Sequence, residues 1–181
     1  MLFRSNSGTF TALVESYSSG GVGTYVLHLA QFPEPFIVPA GDEGGPMTDG
    51  GRYAGTNSLG DLDMWSFTAN AGNNIVLRLG TVGFVGDLSL YGPNGALLKT
   101  TASGTDAELD YTATNSGTFT ALVDSYDYGG LGTYVLHLAQ FPEAFVVPAG
   151  DEGGPMTNGG RYTGTNSLGD LDMWRRGGRG G

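Results

Sequence analysis

The chain has 181 residues, with 33 glycines, 8 prolines, no cysteine and a formal net charge of −10. The missing cysteine excludes disulfides, thiolate metal sites and a cysteine nucleophile, and the acidic balance repels phosphate backbones and anionic lipid, so nucleic acid is not an expected partner. No apolar run approaches the roughly 20 residues that a membrane helix needs, which argues against membrane insertion.

From the N-terminus, the first feature is a segment that occurs twice. Asn6 to Trp65 returns as Asn115 to Trp174, an offset of 109 residues, and the copies differ only at Glu15/Asp124, Ser18/Asp127, Ser19/Tyr128, Val22/Leu131, Pro35/Ala144, Ile37/Val146, Asp49/Asn158 and Ala54/Thr163. A period of that size is one domain plus its linker. The expected organisation is therefore the closing strands of a truncated repeat at 1–34, a linker at 35–48, one complete unit at 49–139, a second linker at 140–158, and the opening strands of another repeat at 159–174. Residues 175–181, Arg-Arg-Gly-Gly-Arg-Gly-Gly, interrupt a strand of the second copy and read as a non-native tail rather than an RNA-binding segment.

Within the complete unit the apolar residues alternate with polar ones, the period of a half-buried strand. Residues 51–57 form a first short strand, and 64–68 place Trp65 and Phe67 on one face. After a turn at 70–74, Ile75, Leu77 and Leu79 point inward while Val76 and Arg78 point away. Residues 87–91 and 96–101 flank Gly92-Pro93-Asn94-Gly95, a turn sequence suited to a hairpin. Further strands are expected at 108–112, at 117–125 with Phe119, Ala121 and Val123 inward, and at 132–138 with Tyr134, Leu136 and Leu138 inward. No helix is expected, and this many short strands with turns every 8 to 12 residues or so point to an all-β sandwich or barrel. The linkers mix proline with glycine and read as semi-rigid spacers. Their Phe36-Ile37-Val38 and Phe145-Val146-Val147 runs are apolar enough to dock on a neighbouring domain or a sheet edge.

Few side chains carry a chemical signal. Asp61 and Asp63, two apart where a strand begins, offer hard oxygen ligands of the kind calcium takes, and equally suit a solvated turn at a sheet end. His28 and His137 are copies rather than a pair, and read as exposed strand histidines on the face opposite Tyr134 and Leu136. Ser7 and Ser116 sit in Asn-Ser-Gly turns with no acid–base partner suggested by spacing. Asp87, Asp106, Glu108 and Asp110 suit a soluble surface better than glycoside hydrolysis. Trp65 and Phe67 read as core, whereas Tyr126 and Tyr128, in a glycine-containing loop, are candidate surface aromatics for binding.

The run from Gly60 to Ala69, Gly-Asp-Leu-Asp-Met-Trp-Ser-Phe-Thr-Ala, with Asn70 to Leu77 after it, resembles the opening of the bacterial pre-peptidase C-terminal domain. Gly86 to Leu98 resembles that family's central hairpin, and Asn115 to Phe119 with Gly132 to Leu136 its closing strand pair. The resemblance implies a jelly-roll-like antiparallel β-sandwich in its tandem-repeat form, non-catalytic and found in secreted bacterial proteins, with one complete unit flanked here by partial copies. It also implies calcium held by Asp61 and Asp63 together with Asp42 and Glu43 of the preceding linker. The expected function is a spacer, adhesion or substrate-anchoring module. The alternatives are a calcium-dependent binding module for protein fibres or polysaccharide, and an accessory domain of a secreted hydrolase whose catalytic domain lies elsewhere. Expected partners are neighbouring repeats and extracellular protein or polysaccharide, at an extracellular or cell-surface location. Met1 to Ser5 carry no export leader, so such a signal is expected further upstream.

Overall fold

A computed structural model describes residues 8–17, 20–127 and 129–176. Eleven strands are present and no helix occurs among the described residues. The first, β1 (Gly44–Pro46), precedes the eight strands of the complete unit. These are β2 (Arg52–Asn57), β3 (Asp63–Ala69), β4 (Asn74–Val82), β5 (Gly86–Tyr91), β6 (Leu97–Ser103), β7 (Asp106–Thr112), β8 (Gly117–Ser125) and β9 (Gly132–Phe141). Two short strands follow, β10 (Gly153–Met156) and β11 (Met173–Arg176), paired only with each other.

The unit divides into two sheets, one ordered β3-β8-β5-β6 and extended at its edge by β1, the other ordered β2-β9-β4-β7. Successive strands alternate between sheets until β5–β6, so the interleaving is that of a jelly roll. This bears out the all-β sandwich. Within these two sheets all pairings are antiparallel except β1 with β3, where Gly44 lies opposite Met64 and Gly45 opposite Trp65, and the separate β10–β11 pair is parallel in the same way. Every strand that the alternation predicts is present, and β5–β6 is the expected hairpin, with a register irregularity at Leu90/Tyr91.

The inward residues of both sheets fill one core. Ile75, Leu77, Leu79, Leu88, Leu90, Leu109 and Leu136 are fully buried, joined by Trp65, Phe67 and Phe119. Phe67 and Phe119 lie directly opposite across β3–β8, and their rings stack with centroids 5.8 Å apart. Such a pair adds an attraction of about 0.5–1.5 kcal/mol beyond its buried area.

The linkers lie against the sandwich. The Phe32 ring stacks on Tyr91 at 3.8 Å. Phe36 and Val38 help line a 470 Å³ cleft over β1, β3 and β8, while Ile37 stays 90% exposed. In the second copy, Val146 donates its N–H to the Asp49 carbonyl at 3.0 Å.

Candidate metal centre

The acidic site begins with strand pairing. Because β1 runs parallel to β3 with Gly44 opposite Met64, the residues that precede this pair, Glu43 just before β1 and Asp63 at the start of β3, are brought side by side. Carboxylate oxygens of Asp42, Glu43 and Asp63 lie within 4.8 Å of one another, and a second set, His28, Asp42 and Asp61, meets the same limit. All four acids implicated by the resemblance are thus gathered at one corner of the sandwich.

They are held differently. Asp61 closes its own turn: Oδ2 accepts from the Ser58 N–H at 2.9 Å and the Ser58 hydroxyl at 3.0 Å, and Oδ1 accepts from the Leu62 N–H at 3.1 Å. With the Asp61 N–H donated to the Ser58 carbonyl at 3.3 Å, side chain and backbone close the turn reciprocally, so much of the carboxylate is committed to it. Glu43 accepts from the Thr56 N–H at 3.0 Å, tying the linker to β2. Asp42 accepts from the Glu43 N–H at 3.2 Å.

Asp63 is the unusual member. It shares the inward face of β3 with Trp65 and Phe67 and is 1% exposed. Its Oδ2 accepts from the Tyr134 hydroxyl at 2.6 Å, and the Trp65 indole N–H donates to the same phenol oxygen at 3.1 Å. Its Oδ1 is buried with no hydrogen-bond partner. Burial pushes the Asp63 carboxyl up to about 7, opposed by the Tyr134 hydrogen bond and reinforced by the charges of Asp61, Glu43 and Asp42. Burial, with the Asp63 carboxylate beside it, likewise raises the Tyr134 phenol well above its ordinary range. An unpartnered buried oxygen among three other acids is costly unless a proton or a cation neutralises it. An all-oxygen donor set suits a hard cation such as calcium.

The second copy rebuilds the corner. Asp151, Glu152 and Asp172 cluster as their counterparts do, as do His137, Asp151 and Asp170. Asp170 Oδ2 accepts from the Ser167 N–H and hydroxyl at 3.0 and 3.1 Å, and Glu152 from the Thr165 N–H at 3.0 Å. Tyr162 and Trp174 pack at 4.9 Å, the separation of Tyr53 and Trp65. Among the described residues no tyrosine hydroxyl is hydrogen-bonded to Asp172 as Tyr134 is to Asp63, and the Asp172 Oδ1 is again unpartnered.

Two expectations about other residues need adjustment. His137 is not an exposed strand histidine: it is 3% exposed, covered by the turn around Gly169, to whose carbonyl its Nδ1–H donates. His28 is half-buried beside Asp61, with Nδ1 3.8 Å from Oδ1. Tyr126 is 59% exposed at the end of β8, and Tyr128 lies outside the described residues. The Tyr134–Asp63–Trp65 network did not emerge from the sequence reading, although a signal existed: Asp63 falls in phase with Trp65 and Phe67, so the same alternation that buries the rings buries the carboxylate.

No protein-family profile matches the chain, and no curated protein matches it significantly. Among solved structures, it is similar to the pre-peptidase C-terminal domain of collagenase from Bacillus anthracis, at 20% identity over 54% of this chain and 95% of that one, with a TM-score of 0.46. It is also similar to PliG, a periplasmic inhibitor of g-type lysozyme. The Aeromonas hydrophila protein is 12% identical over 54% of this chain and 96% of its own, TM-score 0.46. The Salmonella Typhimurium protein is 19% identical over 54% and 98%, TM-score 0.43.

Proposed function

We propose that the chain is a non-catalytic repeat module of an exported bacterial protein, a tandem form of the pre-peptidase C-terminal domain, acting as spacer, adhesion or substrate-anchoring unit outside the cell. The observation that carries this reading is the duplication of local structure along with sequence: each copy closes the Ser-Leu-Gly-Asp turn with the same carboxylate and ties its linker glutamate to the same threonine N–H. A module built to be strung in series needs the same joint at each step.

A second reading is favoured by the unpartnered Asp63 Oδ1. Asp42, Glu43, Asp61 and Asp63 would hold Ca²⁺, which would neutralise the corner and fasten β1 to β3. A ligand held only by the native state stabilises it by mass action. Millimolar Ca²⁺ is expected to raise the melting temperature of the chain, and Asp63→Asn to abolish the rise. A parent protein whose melting is indifferent to Ca²⁺ at pH 8 removes calcium from the account and leaves the spacer reading in place.

A further inference from the structure

Outward-facing positions on β4 and β9 should be exposed by the strand period, yet Gly80, His137 and Ala139 are buried. Gly80 continues the outward series of Val76 and Arg78. What covers Gly80 and His137 is the turn Leu168-Gly169-Asp170 of the second copy. Arg78 and His137 are cross-strand neighbours, and they donate to consecutive carbonyls of that turn. Arg78 Nη1 reaches the Asp170 carbonyl at 3.2 Å, and His137 Nδ1–H the Gly169 carbonyl. The guanidinium is held in place from behind by Asp106 at 2.8 Å and Glu108 at 3.3 Å. Backbone meets backbone at the centre: a Cβ on Gly80 would lie 2.5 Å from the Gly169 nitrogen, and one on Gly169 2.5 Å from the Gly80 nitrogen and 3.0 Å from the Val135 carbonyl oxygen. Only glycine on both sides permits that approach.

A looser, partial form of the contact recurs one period earlier, where a Cβ on Gly60 would lie 3.8 Å from the Val26 carbonyl oxygen. Gly60, the counterpart of Gly169, faces the Val26 carbonyl, the counterpart of Val135, and Asp61 sits beside His28. The glycine–carbonyl and histidine–aspartate juxtapositions are thus seen in both copies, while the Arg78 and Gly80 contacts are seen in one.

We propose that Arg78, Gly80, Val135 and His137 form a socket for the Leu-Gly-Asp turn of the following repeat, so that consecutive repeats dock at a fixed angle instead of swinging on their linkers. The proposal rests on the repeat-module reading and adds to it the surface and the partner, a second copy of the unit. The socket lies on the outer face of the β2-β9-β4-β7 sheet, and the plug is the turn closed by Ser167 and Asp170. The Asp170 side chain shapes the plug while its main-chain carbonyl makes the docking bond.

Gly80→Val tests this in the full chain, because the nearest atoms to a new Cβ there all belong to Leu168 and Gly169 and a strand position tolerates valine. Hydrogen exchange of residues 165–172 should be at least about tenfold slower in the parent than in the variant, while β4 and β9 keep their protection. Gly169→Val, which leaves the socket sequence intact, should release the same segment. Equal exchange of 165–172 in parent and both variants would overturn the docking. That outcome leaves the module reading untouched, since the duplicated turn and linker contacts that carry it lie within each copy and do not depend on docking.

Discussion

At the scale of single residues, the structure separates acids that serve the fold from acids that strain it. Asp61 is satisfied within its turn, whereas Asp63 is buried with an idle oxygen. Asp63 titrates near 7 in the native state against about 4 when unfolded. Below about pH 4 both states hold the proton; between about 4 and 7 only the native state keeps it, so raising the pH through that window weakens the fold. Without Ca²⁺ the melting temperature should fall between pH 5 and 8, Asp63→Asn should flatten much of that fall, and the Ca²⁺ rescue should be larger at pH 8 than at pH 5. Asp49 offers an independent check. Burial pushes its carboxyl up to about 6, its Oδ1 accepts from the Gln140 N–H at 2.6 Å, and its Oδ2 is unpartnered. The second copy has Asn158 at this position. Asp49→Asn keeps the acceptor and removes the charge, so it should stabilise the chain on the order of 1 kcal/mol at pH 8 and change little at pH 4, as read by thermal melts at the two pH values.

At the scale of elements, the short parallel strand β1 does more than its length suggests. It brings Glu43 to Asp63, and the residue after it, Met47, enters the core at 6% exposure with its N–H donated to the Ser66 carbonyl at 2.7 Å. A fragment spanning 41–141 should therefore melt higher than one spanning 48–141, and only the longer should respond to Ca²⁺. Both should give β-type circular dichroism and a cooperative transition, because the eight strands β2 to β9 complete the sandwich by themselves. In the β3–β8 pair, Phe119→Ala removes a ring that is 1% exposed and stacked on Phe67. Denaturant unfolding should show a loss of about 3–5 kcal/mol, the usual cost of emptying a buried aromatic site.

At the scale of the whole molecule, the first copy presents an apolar surface that the second copy buries. Phe10 is 82% exposed and Leu29 79%, against 1% for their counterparts Phe119 and Leu138, and the segments at 8–12 and 27–31 face one another across an open 770 Å³ cavity. Exposed apolar patches of this kind favour association. The 181-residue chain should self-associate in light scattering, and protease should cut first within 8–31, whereas the 41–141 fragment should remain a monomer. A monodisperse, protease-resistant monomer for the full chain would mean that those side chains find cover within one molecule.

The alternation of apolar residues by itself determined the all-β class, the strands of the complete unit and the inward faces of β3, β4, β8 and β9, because strand period and turn chemistry are local properties of the chain. Of the acids of the candidate site, Asp61 and Asp63 were legible from their spacing at a strand entrance, Asp42 and Glu43 only through a resemblance. The physical reason they meet, a parallel register between β1 and β3, joins segments about 20 residues apart and leaves no local trace. Burial was decided by tertiary structure alone, as the two copies show without any change of residue. Phe10 is 82% exposed and Phe119 1%, and Leu27 is 62% exposed while Leu136 is fully buried. The local sequences are the same; what differs is whether a second sheet stands opposite to exclude water. His137 follows the same logic from the outside of the sandwich, where a polar, outward position becomes interior only because the turn around Gly169, from the second copy of the duplicated segment, comes to rest on it.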